Sequence, residues 1–563
     1  MILDDLRNEI NRQLTPWVQA RGMETLPVYN LEEPPAGIEA DVACNLALVL
    51  AKPLKASPRA LAQEIQKTLQ LDPGFVEGIT IAGAGFVNFR WALPRLYKEV
   101  QTLLEQTTAY GRLPDVKEKK ILIEFVSANP TGPLHVGHGR GAALGDSLAL
   151  ILAHLGYEVS REFYINDAGN QVQLLGQSVL ARVKELQGQS FEMPAEGYHA
   201  DYVRTLAEEF IKSHPDKGQD LDAAISFSLR RMLKEIEKDL IDFGVRFDTW
   251  FSEWSVVQKG LVEKHIGTLK QKGFVEEFED AVWFVAKGSV PTFEKGSDPL
   301  ADKNRVLKRR DGRWTYFATD IAYHADKFER GFDRLIDIWG ADHHGYVARV
   351  KGSMQALGYD PARLHIVLYQ LVSLFRGGAP VAMSKRSGDF ITLREVLDEV
   401  GRDACRFFFA LRSPNTALDF DLELAKKHTV DNPVYYLQYA HARICSIFRQ
   451  AASPPTPLPQ GEGGRRPGEA DLSPLKEKEE RELMKRLSLF PQALTICAQE
   501  DSPHPLAIYL LFLCRQFHHF YDHHRVLGEE ASLTTARLSL LKAVRQVLSL
   551  GLNLLGVSAP ESM

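Results

Sequence analysis

The chain has 563 residues, 45% hydrophobic and 25% charged, with 67 Lys+Arg against 73 Asp+Glu for a net charge of −6. That composition suits a globular protein of three or four domains and excludes collagen, a disordered tail and a small disulfide scaffold. The net negative charge argues against a histone-like coat of DNA and leaves room for RNA on a local basic patch.

No apolar run reaches about 18 residues, so no membrane span is expected. Asp4 and Asp5 fall where a signal peptide would need basic and apolar residues, which makes the cytoplasm the default location. Cys44, Cys405, Cys445, Cys497 and Cys514 are scattered, so neither a disulfide framework nor a cysteine-rich zinc site is expected.

In chain order, residues 1–112 read as a separate α+β unit. Leu3, Leu6 and Ile10 are helix-spaced, and Asp41 to Ala51 shows the same period. Ser57 before Pro58 reads as an N-cap with proline at the first helical position. Ile79 to Ile81 and Phe86 to Arg90, joined through Gly83-Ala84-Gly85, read as a hairpin. Beyond the charged connector Lys117 to Lys120, Ile121 to Phe125 suits a buried parallel strand. Arg140 to Leu155 reads as a helix stopped at Gly156, and Tyr157 to Ile165 as a second strand. Strand, helix and strand make a βαβ unit of a doubly wound sheet. Residues 170–290 read as mostly helical. Alternation returns at Ala281 to Val285 and at Trp314 to Ala318, and Leu335 to Trp339 and Leu364 to Leu368 are further strand candidates. From Leu393 the chain reads almost entirely as helices. Ser453 to Pro474 holds six prolines and four glycines in 22 residues and reads as an exposed flexible loop.

The chemistry concentrates at Ser127-Ala128-Asn129-Pro130-Thr131-Gly132-Pro133-Leu134-His135-Val136-Gly137-His138-Gly139-Arg140-Gly141, where the first strand hands over to its helix. Ligands of doubly wound folds bind outside the carboxyl ends of the strands, and a helix N-terminus there attracts phosphate. Gly137, Gly139 and Gly141 let a nucleotide approach the backbone. His135 and His138, three apart, can both donate to oxygens of an α-phosphate as charge builds on it. A second stretch, Val381 to Asp389, contains Met383-Ser384-Lys385-Arg386 and can bring cations to a pyrophosphate leaving group. His518, His519, His523 and His524 lack cysteine or acid ligands at suitable spacing and read as solvated or RNA-facing, so no bound metal is expected.

These two stretches resemble the signatures of the class I aminoacyl-tRNA synthetases, and within them the arginyl-tRNA synthetases. His135-Val136-Gly137-His138 matches His-Ile-Gly-His, and Met383-Ser384-Lys385 matches part of Lys-Met-Ser-Lys-Ser. Ala382 stands where the first lysine belongs and Arg386 precedes Ser387, so Lys119, Lys120 or Arg386 could share the work of Lys385. The resemblance extends through Asp41 to Asn45, Ala82 to Asn88, Phe243 to Asp248, Trp250 to Glu253, Trp339 to Tyr346, Asn432 to Arg443 and Phe517 to Gly528. Met563 keeps the family's last residue, whereas Ser562 replaces its arginine.

The resemblance implies an α/β fold: a doubly wound, Rossmann-like parallel-sheet catalytic domain with a helical insertion over 113–392. An N-terminal additional α+β domain would occupy 1–112 and help bind tRNA. A C-terminal all-α, anticodon-binding bundle would occupy 393–563, with the flexible loop at 453–474. It implies His135, His138 and Lys385 as catalytic residues, and Pro130, Gly132, His135, Gly137, His138, Met383, Ser384 and Lys385 as the ATP site. Glu124, Ser127, Asn129, Tyr316 and Asp320 would hold arginine, since a guanidinium prefers carboxylates that accept as a fork. Tyr435, Tyr436, Tyr439 and Met563 would contact tRNA, the tyrosines by stacking on splayed bases. ATP with Mg2+, L-arginine and tRNA(Arg) are the expected partners, with no DNA and no membrane, on a monomer. The family also implies that tRNA binds before arginine is activated. The other readings are a class I synthetase for another amino acid, a small-molecule nucleotidylyltransferase, and a non-catalytic RNA-binding relic.

Overall fold

A computed structural model describes residues 2–35, 37–217, 219–278, 280–285, 306–381, 391–452 and 471–563. At its centre is a five-stranded parallel sheet: β1 (Lys120–Phe125), β2 (Glu158–Ile165), β3 (Thr249–Ser252), β4 (Arg334–Gly340) and β5 (Leu364–Tyr369). The spatial order is β5-β4-β1-β2-β3. The apolar run Ile121 to Phe125 is a strand because helices cover both its faces. Helix Val136–Leu155 packs on one face, with Gly156 at φ 113° as its left-handed stop. Helix Tyr316–Glu329 packs on the other, its Tyr323 ring 4.4 Å from that of Tyr164 in β2. From β1 the chain proceeds to β2 on one side, and β4 lies on the other. The β1/β4 boundary is therefore the topological switch point, whose carboxyl-end crevice receives ligands in such sheets. This is the doubly wound fold expected from the sequence.

Helices Asn170–Leu186, Asp201–Ser213 and Leu221–Asp242 follow β2 and build a small core around Leu175, Phe210 and Met232. The N-terminal unit pairs helix Ile2–Gln19 with a four-stranded antiparallel sheet that includes the hairpin Val76–Ala82/Phe86–Trp91. Helices Pro433–Ala451, Lys478–Ser488, Phe490–Glu500, His504–His523 and Ala531–Leu554 form the C-terminal bundle. One continuous core runs from Ile2 to Val557 through all three regions. Asp41 fastens the N-terminal unit to the bundle by accepting from Arg481 at 2.9 Å while capping Trp91 N–H at 2.8 Å.

Five expectations need correction. Asp41 to Ala51 is not one helix: Val42–Cys44 is a strand paired with Val87 to Phe89, and the helix is only Leu46–Ala51. The segment is buried on nearly every side, so its apolar pattern carries no readable period. Trp314 to Ala318 is not a strand. Only a single bridge, Lys308 with Trp314, precedes a helix that starts at Tyr316. Beyond Leu393 a strand, Leu418–Asp421, pairs in parallel with Val372–Arg376. The 453–474 segment lies outside the described residues up to 470, but Leu472 within it is buried in the core rather than exposed. The helix expected from Arg140 begins four residues earlier, at Val136.

Candidate active site

The turn after β1 is built under strain. Val126 and Ser127 follow Phe125 with φ of 68° and 40°. A β-branched residue in the left-handed region persists only where its surroundings hold it. Here the Ser127 N–H donates to Phe125 O at 3.0 Å and its hydroxyl to Glu124 Oε1 at 2.7 Å, while Tyr164 N–H donates to that hydroxyl at 3.2 Å. Strand end, turn and neighbouring strand thus become one unit.

Glu124 is buried, and an acid at the end of an apolar strand needs a partner. The partner is Lys327, on helix Tyr316–Glu329 across the sheet, which donates to Glu124 Oε2 and to Asp337 Oδ1 of β4 at 2.7 Å. His324 joins Asp337 Oδ2 at 2.9 Å and the Asp320 carbonyl at 2.8 Å, and Tyr346 donates to Asp320 Oδ2 at 2.7 Å. Burial pushes the Asp320 carboxyl up to about 7, against the opposing pull of His324 and Tyr346. Burial also pushes Glu253, at the end of β3, up to about 8. Its Oε1 accepts from Thr319 at 2.8 Å, while its buried Oε2 has no hydrogen-bond partner among the described residues. Glu124 and Asp337 therefore share Lys327, with Asp320 beside them and Glu253 beside Asp320. The cluster is short of positive charge, as a site for a guanidinium should be.

Above this cluster Asn166 Nδ2, just past β2, donates to Asn129 Oδ1 at 2.8 Å and to the Tyr316 hydroxyl at 2.7 Å. Asn129 in turn donates to Gln171 Oε1 at 2.7 Å. The five residues expected to hold arginine thus meet at one strand end: Glu124, Ser127 and Asn129 on the β1 turn, Tyr316 and Asp320 one helical turn apart on one face. Sequence reasoning missed Lys327, His324, Asp337, Glu253, Asn166 and Tyr346. An acid with no nearby counter-charge was the only signal that a cation such as Lys327 had to exist.

His135 caps helix Val136–Leu155. Its Nδ1 accepts from His138 N–H at 3.3 Å, and His138 Nδ1 accepts from His135 N–H at 3.3 Å. The rings stack with centroids 3.6 Å apart, and a Cβ at Gly137 would come within 2.9 Å of the His135 ring. Because each Nδ1 accepts, the proton of each neutral ring sits on Nε2, which becomes a donor. Burial, with His135 beside it, pushes His138 down to about 3, so it stays neutral at physiological pH. Pro130 and Gly132 lie on the same loop, where Tyr202 donates to Thr131 O at 2.7 Å.

Ala382, Met383, Ser384, Lys385 and Arg386 lie outside the described residues, but their flanks do not. Val381 N–H donates to Leu374 O at 2.8 Å. On the return, Thr392 bridges His135, and Leu393 N–H donates to Leu134 O at 2.7 Å. Thr392 and Leu393 thus tie the start of the following helix directly to the His135 turn. Lys119 and Lys120, by contrast, sit at the amino end of β1, about 17 Å from its carboxyl end at 3.3 Å per residue. They cannot share the pyrophosphate role. Lys119 instead pairs with Glu158 at 3.0 Å.

A separate cavity of about 580 Å³ is lined by Tyr435 and Met563 together with Arg402, Lys426, Lys427 and His428 and the acids Glu399 and Asp403. Tyr439 stacks beside Tyr435 at 6.1 Å and accepts from Arg443 at 2.7 Å, whereas Tyr436 stacks on His518 at 4.8 Å.

Comparison with known proteins agrees with this arrangement along the whole chain. Residues 4–91 match the arginyl tRNA synthetase N-terminal domain, 99–408 the class I (R) tRNA synthetase catalytic domain, and 437–563 the DALR anticodon-binding domain. Arginine–tRNA ligase of Desulfitobacterium hafniense is 48% identical over 96% of this chain and 95% of its own length. That of Syntrophotalea carbinolica is 46% identical over 96% of each. The Thermus thermophilus arginyl-tRNA synthetase structure superposes over 100% of both chains with a TM-score of 0.76 at 25% identity. With the His135–His138 turn and an acid-rich pocket at one crevice, and with these matches along its whole length, the chain belongs to the arginyl-tRNA synthetase family of the class I aminoacyl-tRNA synthetases.

Proposed function

We infer that this chain is an ATP-dependent ligase that attaches L-arginine to tRNA(Arg) through an arginyl-adenylate. The observation that carries the reading is the pairing of two features at one strand end: the stacked rings of His135 and His138, with His138 held neutral by burial, and the carboxylate pocket of Glu124 and Asp320. The arginine carboxylate attacks the α-phosphate of ATP, pyrophosphate leaves, and a hydroxyl of the terminal tRNA adenosine then takes the arginyl group. His135 and His138 donate from Nε2 to the α-phosphate oxygens, and the helix N-terminus adds its N–H groups. Glu124 and Asp320 receive the guanidinium, Tyr316 closes over it, Ser127 holds Glu124, and Asn129 orients the α-amino or α-carboxyl end. Pro130, Gly132 and Gly137 bound the nucleotide, and Met383, Ser384 and Lys385 supply contacts to the leaving pyrophosphate. Magnesium enters on the ATP phosphates.

We assign residues 1–112 to tRNA gripping, 113–392 to catalysis and 393–563 to anticodon recognition. The cavity lined by Tyr435, Met563, Arg402, Lys427 and His428 supports the last of these, with Tyr439 stacked behind Tyr435. All three substrates find a place on one chain, which favours a monomer, and its work with tRNA places it in the cytoplasm. We also assign arginine activation to the tRNA-bound state. The small-molecule nucleotidylyltransferase and the relic are not favoured, because neither needs three synthetase domains in order. The test is transfer of radiolabelled arginine to total bacterial tRNA. Labelling that needs ATP and is confined to tRNA(Arg) is expected, and absence of labelling overturns the reading.

A further inference from the structure

Arg140 lies two residues beyond His138 and is fully buried at 0% exposure. Among the described residues no carboxylate pairs with it. Its guanidinium donates instead to three backbone carbonyls: Gln370 at 2.7 Å, Ser413 at 3.0 Å and Thr416 at 2.8 Å. The unbalanced burial has a cost, visible in a pKa pushed down to about 10. A hydrophobic side chain could fill the same space without it. What only the guanidinium supplies is a rigid planar fork that fixes separate carbonyls at set angles.

The two loops it grips belong together. Gln370 directly follows β5, and its N–H donates to Pro414 O at 2.9 Å. Each loop then enters a strand, Val372–Arg376 from one and Leu418–Asp421 from the other, and those strands pair in parallel. The packing is tight, since a Cβ at Gly141 would lie 3.1 Å from the Tyr369 ring. The first turn of the signature helix is thus pinned at two places: at Leu134 and His135 by Thr392 and Leu393, and at Arg140 by the 370 and 413–416 loops.

We propose that Arg140 is a positioning residue for adenylate formation, holding the His135–His138 turn at fixed distance from the β5 loop across the crevice. This rests on reading that crevice as the ATP site. Arg140 touches no substrate and acts through His138.

The test is a double-mutant cycle on the full-length enzyme, read by arginine-dependent ATP–pyrophosphate exchange in the presence of tRNA. R140K keeps the charge and loses the fork. Losing hydrogen bonds from a charged donor predicts a drop in exchange kcat of about tenfold or more, with KM for arginine within about twofold of wild type. In an H138A background the same change should cost little, because the group being positioned is already gone. Asn415→Gly, an exposed change that loosens the 413–416 loop, should produce a smaller loss in the same parameter that also vanishes with H138A. It carries the test alone should R140K not fold. Equal fold-losses in both backgrounds, or a loss in arginine KM rather than kcat, would overturn the proposal. Wild-type enzyme with no exchange at all would overturn the ATP-site reading instead.

Discussion

Lys327, on helix Tyr316–Glu329, and Glu124, on β1, form an ion pair sealed from solvent. The lysine is shared with Asp337, so removing it strands two buried carboxylates. Breaking such a pair costs about 3–5 kcal/mol. Lys327→Met is therefore expected to lower stability by about that amount in denaturant unfolding and to raise the KM for arginine. A stable Lys327→Met enzyme with unchanged arginine KM would show that the pair does not support Glu124.

The acid cluster also sets a pH dependence. Asp320 and Glu253 titrate at about 7 and about 8 in the folded chain, raised by burial, against about 4 when unfolded. The folded protein thus holds protons that the unfolded chain has released. Their contribution to stability is full below about pH 4 and is lost as pH rises through about 8. A guanidinium binds the ionised carboxyls, so arginine affinity should rise from pH 6 to 8.5, by at most about tenfold per unit for each group. Arginine KM measured across that range, with thermal unfolding of the empty enzyme alongside, checks both trends. Glu253→Gln should flatten the upper part of each curve.

The histidine pair allows its two jobs to be separated. Asparagine at 138 places an acceptor near Nδ1 and keeps the cap. Glutamine places an amide donor near Nε2 and loses it. His138→Asn is expected to fold normally and to lose about 10²–10³ in exchange kcat. His138→Gln should unfold slightly earlier, by about 1 kcal/mol, yet retain more activity. The reverse ranking in exchange assays would move the donor away from Nε2.

In the bundle, neighbouring tyrosines should behave differently. Tyr435 lines the cavity with Met563, whereas Tyr436 packs against His518. Tyr435→Ala is expected to weaken tRNA binding by about 1–3 kcal/mol, the worth of one stacked base, at unchanged melting temperature. Tyr436→Ala should mainly lower the melting temperature. Filter binding and thermal unfolding of the two variants distinguish them.

The strand, glycine loop and helix N-terminus around His135 were legible because every determinant lies within about 30 residues of chain. The need for a partner to Glu124 was legible too, as a physical requirement. Lys327 itself was not, since it lies 203 residues away and meets Glu124 only through the sheet order. The left-handed Val126 was invisible because nothing in a valine announces that conformation; its neighbours impose it. Trp314 to Ala318 misled because a few alternating residues cannot outweigh the helix-forming run that follows. Asp41 to Ala51 misled because burial on every side erases the period.

The central claim is that the His135–His138 turn and the Glu124–Asp320 pocket together activate arginine. ATP–pyrophosphate exchange with each of the 20 amino acids, with and without tRNA, tests it most directly. The account predicts exchange with arginine alone, appearing only when tRNA is present. Exchange driven by a different amino acid, or none under any condition, would contradict it.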